Sequence, residues 1–393
     1  MQMQDDPTLE RSFRGHKGSV NSAVFNPNMK QLVSVSQDGC LMIWNFKPQL
    51  RAFRFADHKG PVLSVAVSPT GGIIASGSKD RTVRLWAPNI SKGRSTVIKA
   101  HTGGVRCVAF SPDSTSLLSA SDDKTIKMWS IAGHKFKQTL SGHSNWVRAA
   151  RFSPAGDVVV SGGDDKTVRI WDLNQRQCVH TFYDHTGPVN DVTFHPDGLC
   201  VAACSADNTI KIWDMRMNQL LQHYSAHLDS VNSISIHPSG DYMVSGSSDM
   251  TTKIWDLREG HLCYTLHGHE GAVNSVAFSP AGDYFASASK DENLLVWKTN
   301  LKSSDEVAGM GAEPQISGRQ DASMDEVHTE PEQDEEDYEE QAEEEESSAY
   351  PPAPPVAAQA PQRHQQAQQL QQPHTQEAYA PAGGGAFEGA TGG

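Results

Sequence analysis

No apolar run in this 393-residue chain approaches the ~20 residues needed to span a bilayer, and the N-terminal MQMQDDPTLERSF lacks the apolar core of a secretory signal. The six cysteines (Cys40, Cys107, Cys178, Cys200, Cys204, Cys263) form no CxxC pair and no His/Cys cluster at zinc spacing. Most sit in apolar strand-like runs and are expected to be reduced core thiols of an intracellular protein. A Gly-rich phosphate loop, an HExxH pair and a GxSxG elbow are also missing. No segment has the 3.6-residue apolar period of an amphipathic helix. These absences point to a soluble protein of the cytosol or nucleus. No catalytic, cofactor or metal site is expected, and no nucleic-acid, membrane or small-molecule partner.

Charge is unevenly placed. Of 47 Asp/Glu and 33 Lys/Arg, 20 and three lie in residues 301–393, which leaves 27 and 30 in residues 1–300. The net charge of −14 therefore belongs to the tail, and the rest of the chain is slightly basic. That tail runs from DEEDYEEQAEEEE through PPAPP and QRHQQAQQLQQ to GGG. Such composition buries too little apolar surface to offset its ordering entropy, so residues 301–393 are expected to be a disordered tail without a coiled coil. Residues 1–300 form the expected folded domain.

What is abundant is repetition. Histidines 16, 58, 101, 143, 185, 227 and 269 are each followed 22 residues later by Asp38, Asp80, Asp123, Asp165, Asp207, Asp249 and Asp291. Six residues beyond each stands a tryptophan: Trp44, Trp86, Trp129, Trp171, Trp213, Trp255 and Trp297. The period is 42 residues, with one step of 43 where Ser91 to Ser95 lengthen a loop. Each unit reads as four short strands joined by tight turns: VNSVAF, a Pro/Gly turn, a run ending in SGS or SAS, the Asp turn, TVRIW, and a last run such as CVHTF. A lone four-stranded meander leaves both faces bare. Seven packed face to face around an axis make an all-β, seven-bladed propeller.

The pattern resembles the WD40 repeat over residues 11 to 298. Its weakest element is the naming dipeptide, whose Asp follows Trp in three repeats only (Asp172, Asp214, Asp256). The resemblance implies that a strand around Leu9 to Phe13 completes the last blade and closes the ring. It also decides a question raised by SGGDDKTVRIWD, where Ser161 and Asp165, with His143 upstream, have the composition of a catalytic triad. The serine recurs ten residues before Trp as Ser34, Ser76, Ser119, Ser161, Ser245 and Ser287, and a device repeated in nearly every blade is architecture. In the family these His, Ser, Asp and Trp positions form a hydrogen-bond network ending on the indole N–H. Blade five has Ala203 in place of serine, so its relay is expected to be shortened or water-bridged and the blade softer, with Ala203→Ser neutral or mildly stabilising.

Partner recognition is expected on loops and strand ends. By analogy with the family, one face of the ring carries Asn21, Leu63, Arg106, Arg148, Asn190, Asn232 and Asn274 from the start of the first strands, and Gln37, Lys79, Asp122, Asp164, Ala206, Ser248 and Lys290 from before the turn Asp. Trp146 is the one tryptophan outside the repeat set, and beside Arg148 it has the composition of an interface hot spot. Met42 and Leu295 occupy a third-strand position that is basic in blades two to six, which suggests an apolar strip at the ring seam.

The stretches between signatures (DDPTLERSFRGH, CLMIWNFKPQLRAFRF, LLQHYSAH, LREGHLCYTLHGHEGAVNSVAF) resemble centriolar members of the WD40 family. That resemblance implies a non-enzymatic scaffold of the cytoskeleton at centrioles and basal bodies. Its propeller would bind the microtubule wall and scaffold proteins and support centriole integrity and cilium formation. An acidic tubulin surface would repel the tail, whose removal is expected to leave such binding unchanged or stronger. The competing expectation is a soluble adaptor, such as a ubiquitin-ligase substrate receptor or signalling scaffold.

Overall fold

The computed structural model of the chain describes residues 6–47, 50–88 and 95–301. The tail beyond Leu301 and most of the lengthened loop at 91–95 lie outside the described residues. Within them, 28 strands form seven four-stranded antiparallel sheets. In blade four the order is Val147–Phe152, Val158–Gly163, Val168–Asp172, Gln177–Phe182, each strand beside the next in sequence. The innermost strand of every blade lies against those of both neighbours, and the seventh against the first. The result is a closed ring.

The packing explains the composition. First strands such as Val20–Phe25 alternate, but second strands such as Gln31–Ser36 are buried almost throughout, because the neighbouring blade covers their second face. Each apolar cluster is shared by two blades: Leu118 and Ile126 of blade three pack with Val147, Val159 and Trp171 of blade four. Two glycines show how close the sheets come. A Cβ at Gly77 or Gly246 would lie 2.7 or 2.6 Å from the Cγ1 of Val105 or Val273 in the next blade.

The strand Thr8–Arg14 pairs antiparallel with Asn293–Lys298, with Leu9 opposite Trp297 and Phe13 opposite Leu294, and supplies the outer strand of blade seven. It also reaches blade one. The Phe13 ring lies 5.3 Å from Trp44 and 6.0 Å from Phe46, and Arg11 Nη1 donates to the Phe46 carbonyl. This closure corrects one expectation. Met42 and Leu295 are 7% and 6% exposed, so they form no apolar strip open to a partner. The loop glycines beside them, Gly15 and Gly268, leave room that these side chains fill from within.

Candidate functional site on the histidine face of the ring

In each blade the loop carrying His and the turn carrying Asp meet at the same end of the sheet, so the seven pairs mark one face of the ring. In blade four His143 Nδ1 is 2.8 Å from Asp165 Oδ2, Nε2 is 2.7 Å from Ser161 Oγ, and Trp171 Nε1 donates to Ser161 Oγ at 2.7 Å. With Asp165 accepting from Nδ1–H, Nε2 accepts the serine proton, and the serine oxygen accepts the indole N–H. This is the proton order of a hydrolase triad. Ser161 nevertheless has no exposure, and the oxygen that would attack is held by the indole. The same contacts recur as His16–Asp38 with Ser34 and Trp44, His58–Asp80 with Ser76 and Trp86, and His101–Asp123 with Ser119 and Trp129. They recur again as His227–Asp249 with Ser245 and Trp255, and His269–Asp291 with Ser287 and Trp297. Buried polar groups are costly unless paired, and here each chain is complete.

Blade five departs from this plan in a way its serine position alone does not show. His185 still meets Asp207 at 2.9 Å, but its Nε2 has no hydrogen-bond partner in the structure. Trp213 Nε1 turns instead to Asp184 Oδ2 at 2.8 Å. The relay is cut at the histidine and rerouted at the indole. The sequence signal is the Asp immediately before His185, where blades one, four and seven have Gly15, Gly142 and Gly268. Asp57 holds the same place in blade two, but there Ser76 takes the indole proton and Asp57 pairs with Arg84 at 3.3 Å. An acidic residue at this position turns to the indole where the hydroxyl is missing.

Burial lowers the pKa of His16, His58, His101, His185 and His227 below the ordinary 6.5, outweighing the hydrogen bond and charge of each aspartate partner. For the carboxylates burial acts in the opposite sense, but hydrogen bonds win. Those from Thr82, His58 and the Lys59 N–H hold Asp80 at about 2, and the matching set from Thr251, His227 and the Leu228 N–H does the same for Asp249. Groups depressed in the fold take up protons more readily when unfolded, so acidification favours unfolding. The histidine contribution is present above 6.5 and lost as pH falls through that value towards the folded ones. The carboxylate contribution is present above 3.8 and lost as pH falls towards about 2. Melting temperature is expected to fall between pH 7 and 5 and again below pH 4; a flat profile from pH 7 to 5 in buffered thermal melts would contradict the neutral buried imidazoles.

Every innermost strand carries a bulge at the same place, seen as a register shift between Val20 and Ser22 and at six equivalents. The residue inside each bulge is re-aimed by it. In four blades it is an asparagine that staples the ring. The side-chain amides of Asn21, Asn190, Asn232 and Asn274 donate to the carbonyls of Val62, Val231, Val273 and Val20 in the next blade at 2.7 to 2.9 Å. Blades two to four carry Leu63, Arg106 and Arg148 there. Arg106 Nε meets Asp122 Oδ1 at 2.6 Å and Arg148 Nε pairs with Asp164 Oδ1, each arginine binding its own blade's turn. Trp146 is 41% exposed, and the guanidinium lying over it, 5.1 Å from the ring centroid, is Arg106 of blade three rather than Arg148. Lys79 and Lys290 are exposed on the rim. Among the described residues no group of His, Cys, Asp and Glu is placed to hold a metal ion.

A ring of four-stranded blades, each clamped by His, Ser or its substitute, Asp and Trp, defines a WD-repeat propeller. The family model for the WD domain, G-beta repeat, matches seven segments, 7–45, 49–87, 93–130, 134–172, 176–214, 218–256 and 260–298, and the chain belongs to that family. Among curated proteins it is similar to POC1 centriolar protein homolog A of Xenopus tropicalis, 63% identical over 51 residues. It is also similar to POC1 centriolar protein homolog B of Danio rerio, 58% identical over 53 residues. These matches cover 13% and 14% of this chain, and only 12% and 11% of those relatives.

Proposed function

We propose that this chain is a non-enzymatic scaffold of centrioles and basal bodies, whose propeller binds the microtubule wall and neighbouring scaffold proteins. The observation that carries this reading is the likeness to proteins named centriolar, at up to 63% identity, in a chain whose seven His/Asp units are built into the ring's own packing. The six Ser–His–Asp sets hold blades together and have no open nucleophile. What they leave free on their face is a rim of exposed side chains, and Trp146, with Arg106 against it and the Arg148–Asp164 and Arg106–Asp122 pairs around it, is the aromatic anchor there. Support of centriole integrity and of cilium formation belongs to the same reading.

A tagged copy of the full chain is expected at stable paired foci at spindle poles or basal bodies. Diffuse or nuclear signal favours a soluble adaptor. The double variant Trp146→Ala, Arg148→Glu loses the Arg148–Asp164 pair and is expected to melt lower than the parent, still cooperatively, and to lose those foci; a variant that folds and keeps both foci and every captured partner removes Trp146 from the interface.

A further inference from the structure

We infer that the histidine face of blades one to four is a docking surface for a glutamate-rich segment of a partner protein, independently of where in the cell the chain resides. Two positions flank each buried aspartate on this face, the residue after His and the residue after Asp. In blades one to four they hold Lys17 and Gly39, Lys59 and Arg81, Thr102 and Lys124, Ser144 and Lys166. In blades five to seven they hold Thr186 and Asn208, Leu228 and Met250, Glu270 and Glu292. Lys17, Lys59, Arg81, Lys124 and Lys166, with Lys79 between them, are all exposed. Among the described residues none of the six forms an ion pair. The turn aspartates add one mostly buried negative charge to every blade alike, so they do not alter the contrast between a cationic arc and a remainder that is neutral in blades five and six and, Lys290 apart, acidic in blade seven.

Backbone conformation at the turn is shared by all seven blades, Met250 at 68° and Glu292 at 70° included, so the arc is set apart by the cations displayed there and not by the backbone. The residue after each Asp has a left-handed backbone, with φ of 73°, 70° and 66° at Arg81, Lys124 and Lys166, a region that Gly and Asn occupy at least cost. Blade one has Gly39 and blade five has Asn208 at this position. Long cations at three successive positions of this kind display charge at some expense of stability. The arc also includes the three blades, two to four, whose bulge residue is not a ring-stapling asparagine, and its far end reaches Trp146.

Charge complementarity selects an acidic occupant. Five of the six cations are lysines, which hold carboxylates and phosphates alike as point charges, so the choice of a polypeptide over a nucleic acid rests on the missing means of reading or stacking bases. Exposed Trp146 is also a single aromatic, whereas base stacking uses several. The test titrates the full chain into a fluorescein-labelled twelve-residue Glu/Gly peptide, and into an oligonucleotide of equal charge, at low and physiological salt. The triple variant Arg81→Asn, Lys124→Asn, Lys166→Asn puts at each turn the residue blade five already uses, so it is expected to melt no lower than the parent. It should bind the peptide about tenfold more weakly at low salt, as loss of three exposed pairs implies. Lys17→Gln, Lys59→Gln, at ordinary backbone positions, should weaken binding without touching the turns, while Leu228→Asn, Met250→Asn on the opposite arc should leave it unchanged. Undetectable peptide binding by the parent at low salt, equal binding by the triple variant, or preference for the oligonucleotide would each overturn the inference.

Discussion

Removal of residues 1–14 is expected to abolish the cooperative thermal transition of the propeller, or to lower its midpoint by more than about 10 °C. The segment forms a strand of one blade and at the same time covers the core of another. Without it Asn293–Lys298 loses its outer partner, and the backbone groups now paired from Thr8–Lys298 to Arg14–Asn293 become a bare edge. The Phe13 ring leaves Trp44 and Phe46, and Arg11 leaves the Phe46 carbonyl, so blades one and seven separate where the ring has no covalent continuity. Phe13→Ala isolates the packing part and should cost roughly 2–4 kcal/mol, somewhat below the ~3–5 kcal/mol of fully buried aromatics because the ring is only half-buried. A peptide of residues 6–15 added to the truncated chain should restore part of the lost midpoint. An unchanged melt of the truncated chain would show that the strand is ornamental.

Ser161→Ala is expected to destabilise the chain by roughly 2–4 kcal/mol, because it orphans two buried groups at once, Trp171 Nε1–H and His143 Nε2. Blade five tolerates the same alanine because Asp184 has taken over its indole. Asp184→Ala should therefore cost roughly 1–3 kcal/mol by stranding Trp213 Nε1–H, and should cost less in an Ala203→Ser background, where a hydroxyl is again in reach. Ala203→Ser alone also offers the unpartnered His185 Nε2 a donor and is expected to be neutral or mildly stabilising. A double-mutant cycle reads the coupling between positions 184 and 203 directly. Additive effects would mean that the two positions do not share the indole. Transplanting the arrangement as Gly142→Asp, Ser161→Ala should rescue only in part, since a Cβ at Gly142 would lie 3.0 Å from Trp171 Cη2 and push the ring from its seat.

The fold was legible because its signals are spaced by sequence arithmetic. His, Asp and Trp at constant offsets, seven times over, leave few arrangements that bury both faces of each sheet. The serine recurs at a constant offset too, and its network was legible through the resemblance to the WD40 repeat. The rim was not. Asn21, Asn190, Asn232 and Asn274 look like exposed recognition residues in the sequence, yet their amides cross to the next blade. Met42 and Leu295 look like a surface strip for want of a charge and are interior. Arg151, unremarkable in its strand, bridges Cys107 Sγ at 2.7 Å and Asp191 at 3.6 Å across blades three to five.

By itself the sequence determined the number of blades and the recurring His, Ser, Asp and Trp positions, since period and residue type are properties of one strand and its turns, while the place of ring closure and the joining of those positions into a clamp came with the resemblance to the WD40 repeat. Only the tertiary structure decided the orientation of each polar group. Trp213 meets an aspartate 29 positions away, and Asn274 meets a carbonyl 254 positions away, because those are the acceptors that packing brings within 3 Å. A hydrogen bond depends on that distance and direction, and neither is written in the spacing of residues along a chain.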